Sequence, residues 1–481
     1  LARTGGITID APINQTADER NDWVRLTANG PIAINAPIWA GQAVSLTATG
    51  GVTEVQETGT VNFSQPNRTY SWVVGSDFSE QNVIVNAGVN GFATINDMVT
   101  AFQSDPNYGQ LPFTIGVNTA GDGLRITFKT AGDAAPRGLA LWGDYPLPLT
   151  EVRAGSGGPA GSIAQGSGPA AITTPNLQVQ AYGSVTLADA GNAIATLALQ
   201  TADSDVVFRE DSGYRIGQIT TSDTARDVMP PSVTVTGVDA GTGTVRLVTV
   251  SATTASSVTQ TQAILANGLG LEGVGTDWSL SLATNDVATL EGNTGSIDFR
   301  DTDDLTIDTV AAVSPRSAIS GITVVRTLSV TAGTTLTITA AGDIVSAATS
   351  GLAVNLSGPV GIGTAGDVVT AGGDLNYDSA VTLTGDVVLD LEDGPARGTV
   401  FFASKVNGTT SGQESLTIGG NLVSVGSIGA ATALESLSVS GTSSLTGGIT
   451  LRTTGNQTYT GSATSAGTIT IQAGQRSTVY S

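Results

Sequence analysis

The side chains best suited to chemistry in this chain are carboxylates. Asp298, Asp301, Asp303, Asp304 and Asp308 crowd one short stretch, and hard oxygen ligands at that density suit Ca²⁺. Asp301, Asp303 and Asp304 are the candidate calcium ligands, with a solvated Asp-rich turn as the alternative. Neither the EF-hand spacing nor a Gly-Gly-x-Gly-x-Asp repeat accompanies them. Two acids held across a groove could also cleave a glycosidic bond. Asp301 with Asp303, or Asp390 with Glu392 and Asp393, supply the residue types, but neighbours in a turn give the same pattern, and no catalytic residue is assigned. Gly361-x-Gly363-x-x-Gly366 spells a dinucleotide fingerprint. It precedes the strand-like Asp367-Val368-Val369 instead of opening a helix, so it reads as turns, and no cofactor other than calcium is considered. Trp72, Trp142 and Tyr145 offer flat area for a glycan or partner, or else fill a core.

Zero histidine and zero cysteine remove thiol nucleophiles, Cys/His zinc sites and every His-dependent triad. A cysteine-free chain also suits export, where premature disulfides would obstruct passage. Asp+Glu 41 against Lys+Arg 19, a net charge of -22, repels nucleic acid and anionic lipid; nucleic-acid binding is not expected. No apolar run of about 18 residues is present to span a membrane, and no charged-then-apolar leader is found. The chain begins at Leu1, as a processed or partial product of a longer precursor would.

What must position these side chains is a set of short strands. Gly 62, hydrophobic residues at 40%, aromatics at 5% and charge at 12% describe an all-β chain of strands and tight turns. Gly5-Gly6-Ile7-Thr8-Ile9-Asp10-Ala11-Pro12-Ile13 returns 25 residues later as Gly30-Pro31-Ile32-Ala33-Ile34-Asn35-Ala36-Pro37-Ile38. Val24-Arg25-Leu26-Thr27-Ala28 returns after 20 as Val44-Ser45-Leu46-Thr47-Ala48, and Ser415 to Ile418 after 21 as Ser436 to Val439. Repeats of this length stack as solenoid coils, because one unit cannot bury its apolar face alone. A higher-order copy runs from Asn192-Ala193-Ile194 and Phe208-Arg209-Glu210 to Asn285-Asp286-Val287 and Phe299-Arg300-Asp301, with Ile216 and Ile219 mapping to Ile307 and Val310 at offset 91. Gly-Asp pairs at Gly342, Gly366 and Gly385 mark coil corners that tight or left-handed turns require. Leu187, Leu197, Phe208, Leu290, Phe299, Ile307, Leu416 and Leu437 are expected inside.

Residues 57–155 break the pattern with Phe63, Tyr70, Trp72, Phe78, Phe92, Phe102, Tyr108, Phe113, Phe128, Trp142 and Tyr145. Ile95, Met98, Val99 and Phe102 fall at helical spacing after a Thr94/Asp97 capping box and before Asp105-Pro106. Phe113–Val117 and Leu124–Phe128 flank a Gly-Asp-Gly turn, a hairpin signal. The expected organisation is therefore solenoid coils over 1–56, an inserted small α+β domain over 57–155, a Gly/Ser/Pro linker over 156–169, and solenoid coils over 170–481.

The opening Gly-Gly-Ile-Thr-Ile-Asp-Ala-Pro-Ile unit, the Asn285-to-Ile307 unit and Thr454-Gly455-Asn456-Gln457-Thr458-Tyr459-Thr460-Gly461 resemble the repeats of filamentous-haemagglutinin-like and giant β-strand-repeat surface exoproteins of diderm bacteria. The resemblance implies a right-handed parallel β-helix, secretion, and an extracellular, cell-surface role as a structural or adhesive shaft without turnover. An open solenoid end is an unpaired sheet edge, so self-association or continuation in a longer chain is expected, and a cell-surface glycan or protein is the other expected partner. The alternatives are a polysaccharide lyase or tailspike-like hydrolase on the same fold, and a glycan-binding module acting through the insert.

Overall fold

In a computed structural model the described residues are 6–15, 23–28, 30–49, 55–58, 69–74, 80–86, 92–106, 113–117, 124–128, 140–142, 149–153, 161–221, 233–249, 256–394, 396–474 and 477–479. The chain is all-β, 56% strand and 3% helix, and its parallel strands stack as a β-solenoid of about 16 turns. The sequence repeats are the strand registers. Ile7, Thr8 and Ile9 pair with Ile32, Ala33 and Ile34; Val24 and Leu26 pair with Val44 and Leu46; Leu416 and Ile418 pair with Leu437 and Val439. An offset of one coil length in sequence is thus one layer in space, roughly 4.8 Å.

Alternation along each strand sends every second residue inward, and parallel register stacks like on like. One interior column runs Ile7, Ile32, Ile163, Val185, Val206, Val245, Leu269, Leu290, Ile307 and Ile338. A second runs Leu187, Phe208, Leu247 and Leu271, and later Ile322, Ile344, Val368, Leu389, Ile418, Val439 and Tyr459. Apart from Ile7 at the first layer, which is partly buried, each such side chain is buried and contributes about 1.5–3 kcal/mol. All the residues expected inside, from Leu187 to Leu437, lie in this core.

The corners explain the acidic composition. Asp343 accepts the amide N–H of Asp367 at 2.9 Å, Asp367 that of Val388 at 2.7 Å, and Asp386 that of Ser415 at 2.8 Å. Asp203, Asp205 and Asp374 do the same for Thr242, Thr244 and Thr399. Each carboxylate therefore ties its turn to the next layer by a charge-assisted bond. Gly342 and Gly366 sit at corners without a left-handed backbone; Gly342 N closes a tight turn onto Thr339 O at 2.9 Å, and a Cβ would meet a carbonyl of the neighbouring layer, at 2.2 Å from Ile307 O and 2.6 Å from Thr339 O respectively.

The chain leaves the stack after Ala43–Ala48 and rejoins it at Ile163–Gln165, which pairs with Ile32–Ile34 on one side and Val185–Leu187 on the other. The excursion's strands form separate antiparallel sheets. Val55–Thr58 pairs with Leu124–Phe128 and Leu149–Arg153, and Phe113–Val117 pairs with Leu124–Phe128. Thr69–Val74 lies between Glu80–Asn86 and Ala140–Trp142. The helix Ile95–Gln103 carries the expected capping box and buries Ile95, Met98, Val99 and Phe102. Two boundaries differ from expectation: Val55 and Gln56 already belong to the excursion, and 161–169 belongs to the solenoid. A three-residue strand between glycine runs is too short to stand out from a linker by composition.

Two antiparallel hairpins also leave the stack, Gln218–Thr221 with Val233–Thr236 and Thr309–Val310 with Ile319–Ser320. They lie outside the coils as straps. Ile219 and Val310, the trailing members of the 91-residue copy, are strap residues. Each strap returns through a left-handed glycine, Gly237 at φ 69° and Gly321 at φ 67°, a conformation that other L-residues adopt only at a cost.

Candidate functional site

The straps hold the densest polar chemistry among the described residues. The first lies over Ala198, Gln178, Ser45 and Arg25, which stack outward on successive layers. Buried Gln178 donates to Ile219 O and Val233 O at 3.0 and 2.9 Å and accepts from Ser45 at 2.8 Å, while Arg25 reaches Thr221 Oγ1 at 2.6 Å.

The second strap covers Glu291, Gly270 and Arg246, again one outward column. Glycine is required here for space. A Cβ on Gly268 would meet Val310 at 3.1 Å, and one on Gly270 would meet Glu291 Oε1 at 2.4 Å and Arg246 Cδ at 2.9 Å. Arg246 is fully buried, its Nη1 lying 2.8 Å from Glu291 Oε1 and its Nη2 3.2 Å from Glu272 Oε1. Nη2 also donates to Ser317 O at 2.5 Å. Arg316, on the strap, pairs with both oxygens of Glu272, its Nε at 3.1 Å from Oε1. Two arginines and two glutamates thus rivet the strap to three layers. The Arg246–Glu291 contact is off-line, so neither Glu291 oxygen makes a well-aligned hydrogen bond. Burial pushes the Glu291 carboxyl up to about 7, against the pull of Arg246 and the Ile319 amide. Burial also lowers Arg246.

None of these four residues stands out in the sequence, because they are spread over separate coils. One signal was available: Val24-Arg25-Leu26 and Val245-Arg246-Leu247 share an arginine at the outward position, and both arginines meet a strap.

Corner hubs form a second set. Asn192, fully buried, accepts from Gln165 Nε2 at 2.7 Å and Ile172 N at 2.8 Å and donates to Gln165 Oε1, Leu187 O and Arg209 O. Asn285 repeats every contact with Gln260, Ile264, Leu280 and Arg300. Glu210 and Asp301 occupy matching places beside them, accepting from Ile194 N and Val287 N.

The candidate calcium ligands are accordingly placed apart in role. Asp301 is buried, takes the amides of Val287 and Asp303 at 2.9 and 3.2 Å, and is pushed up to about 7 by burial. Asp303 is exposed. Asp304, also exposed, is bonded by Thr334 Oγ1 and by Thr335 N, which hold its carboxyl below the ordinary value. Among the described residues no three acidic side chains converge on a cation-sized space. Asp390 accepts the Glu392 amide at 3.1 Å, and Glu392 pairs with Arg397 at 3.0 Å. Gly361–Thr364 is a strand. Trp72 lies opposite Leu141, and Trp142 opposite Ser71, on neighbouring strands; Tyr145 lies outside the described residues. Among them no helix is long and apolar enough to cross a membrane.

Beyond the strap's clamp, its tip at Val313, Ser314 and Pro315 overhangs the layers of Ala164 and Thr186 and encloses a cleft of about 930 Å³. The chain matches no protein family, curated protein or solved structure; what stands is a β-solenoid repeat protein, and the haemagglutinin-like resemblance rests on repeat style alone.

Proposed function

We propose that this chain is the shaft of an extracellular, cell-surface fibre or matrix, acting mechanically and without turnover. The observation that carries this is the continuity of the interior columns, from Ile7 through Ile32 directly to Ile163, across an excursion of more than a hundred residues. About 16 turns at roughly 4.8 Å each make a rod on the order of 80 Å long. Straps fastened over several layers add resistance to peeling where a bare stack relies on nearest neighbours. The most crowded carboxylates, Glu272 and Glu291, are sealed under a strap and matched by arginines, which disfavours the enzyme alternative at that place.

Electron microscopy of the purified protein tests the proposal: stiff rods, alone or associated end to end in filaments, are expected. Incubation with uronic-acid, glucan and host-type glycans should release no products. Cleavage that disappears on changing one acidic pair would replace the shaft with a polysaccharide-active enzyme.

A further inference from the structure

The cleft under the second strap has a chemistry that the rod does not need. Its floor is the outward face of two layers, its side Gln165 and the loop 166–169 that follows it, and its roof the strap tip. The roof is held in place from its own root, since Arg316 follows Pro315 directly and is clamped to Glu272. The opening is therefore built by the ionic rivet and not by chance packing of a loose loop.

Among the described lining residues no lysine or arginine occurs, and Asp189 and Asp205 both reach the cleft. With a net charge of -22 for the whole chain, an anionic ligand is repelled from it. A metal ion is not served either: among the described residues no three acidic side chains gather to hold one, and Asp189 and Asp205 are each turned to backbone amides, of Ala170, Gly191 and Thr244. Among the described residues no aromatic ring lines the cleft, so a flat conjugated ligand finds no stacking partner among them.

What the cleft does offer is hydroxyls. Ser167, Ser184, Thr186 and Ser314 line it, and none has a side-chain bond to the protein among the described residues. A hydroxyl both donates and accepts, so this set suits a ligand whose own groups do both. The carboxylates keep lone pairs to accept from such a ligand. Pro169, Val313 and Pro315 add small apolar surfaces between the polar groups. Alternating hydroxyl edges and aliphatic C–H faces describe a sugar. At about 930 Å³ the space lies at the upper end of small-ligand pockets, enough for several linked rings.

We infer that the cleft between the strap tip and the layers of Ala164 and Thr186 binds an uncharged oligosaccharide. This site is built on the solenoid layers and the second strap and not on the excursion's strands. It holds whether or not the rod forms fibres.

The full chain is titrated by calorimetry with maltohexaose, cellohexaose, xylohexaose and chitohexaose, and with oligogalacturonate as the anionic comparator. Saturable binding of at least one neutral probe is expected by about 10 mM, with no product released. Ser184→Trp, which fills the floor from an exposed position, and independently Ser314→Trp, which fills it from the roof, should each weaken that binding at least tenfold. Circular dichroism unchanged from the parent identifies a folded variant, and either folded variant suffices. The inference is overturned if no neutral probe saturates, if only oligogalacturonate binds, or if a folded variant binds as the parent does. Rods in the microscope with no saturable binding would sink this inference and leave the shaft standing; binding by a protein that forms no rods would do the reverse.

Discussion

Arg246 and Glu291 face each other at 2.8 Å beneath the second strap, two layers apart along one outward column and both out of reach of water. A buried pair without good hydrogen bonds recovers little of its desolvation cost. Glu291 is accordingly raised from 4.5 to about 7. Covered, it holds a proton up to about pH 7; uncovered, only to about 4.5. Strap closure thus takes up a proton between these values, is tightest on the acid side, and weakens as pH rises through 7 before levelling off. The full difference is on the order of 3 kcal/mol. Arg246, Glu272, Arg316 and the nearby Arg209 are the other charges around the cluster. Hydrogen exchange over 309–320, corrected for intrinsic rates, should show greater protection at pH 5.5 than at 8.5. Glu291→Gln should abolish the difference; equal protection in the parent would refute the linkage.

Gly270→Ala places a methyl 2.4 Å from Glu291 Oε1 and should loosen the strap by about 1–3 kcal/mol. Gly363→Ala makes no contact closer than 3.9 Å and should change stability by no more than about 0.5 kcal/mol. Chemical denaturation with exchange readout of both variants checks the contrast; equal effects would mean the strap tolerates the crowding.

Asn285→Ala removes a hub that holds two backbone carbonyls, a backbone amide and Gln260. Leaving those groups unsatisfied should cost about 3 kcal/mol locally. Asn192→Ala should cost about as much in its own coil, as the matching contacts require. Peptide-level exchange around 260–300 and 165–210 measures each; a loss confined to one copy would show that the two hubs are not equivalent.

Phe402 stacks on Tyr377, ring centroids 5.3 Å apart, in adjacent layers. Phe402→Ala should cost about 3–5 kcal/mol. Because the layers around 402 lie beyond both straps and lean on their neighbours, exchange should rise in the coils near 402 while those around Ile32 and Ile163 remain protected. Uniform loss of protection along the whole chain would argue for a single cooperative unit.

The coil architecture was legible because its information is local and repeated: Ile7 and Ile32 announce their pairing by sitting in copied strings. The helix was legible from Thr94, Asp97 and its apolar stripe. The straps were not. Ile219 and Val310 carry the same β-branched, Thr-rich pattern as coil strands, and nothing local says that a strand pairs with its neighbour outside the stack. One cue lay in parity, since each follows an inward residue, Ile216 or Ile307, by an odd step. The rivet was invisible for a related reason: Arg246, Glu272, Glu291 and Arg316 meet only when coils stack. For Asp301 composition showed only carboxylate density; that its place at a coil corner directs both oxygens to amides appears only once the coils are stacked.

Both straps lie over layers that precede them in the chain, the first reaching back to Arg25 and the second to Thr186. A polypeptide that emerges amino terminus first presents each strap only after the surface it grips already exists. The hairpins then behave as the pawl of a ratchet. Growth of the stack proceeds forward layer by layer, and each docking event blocks the unwinding of what was laid down before it.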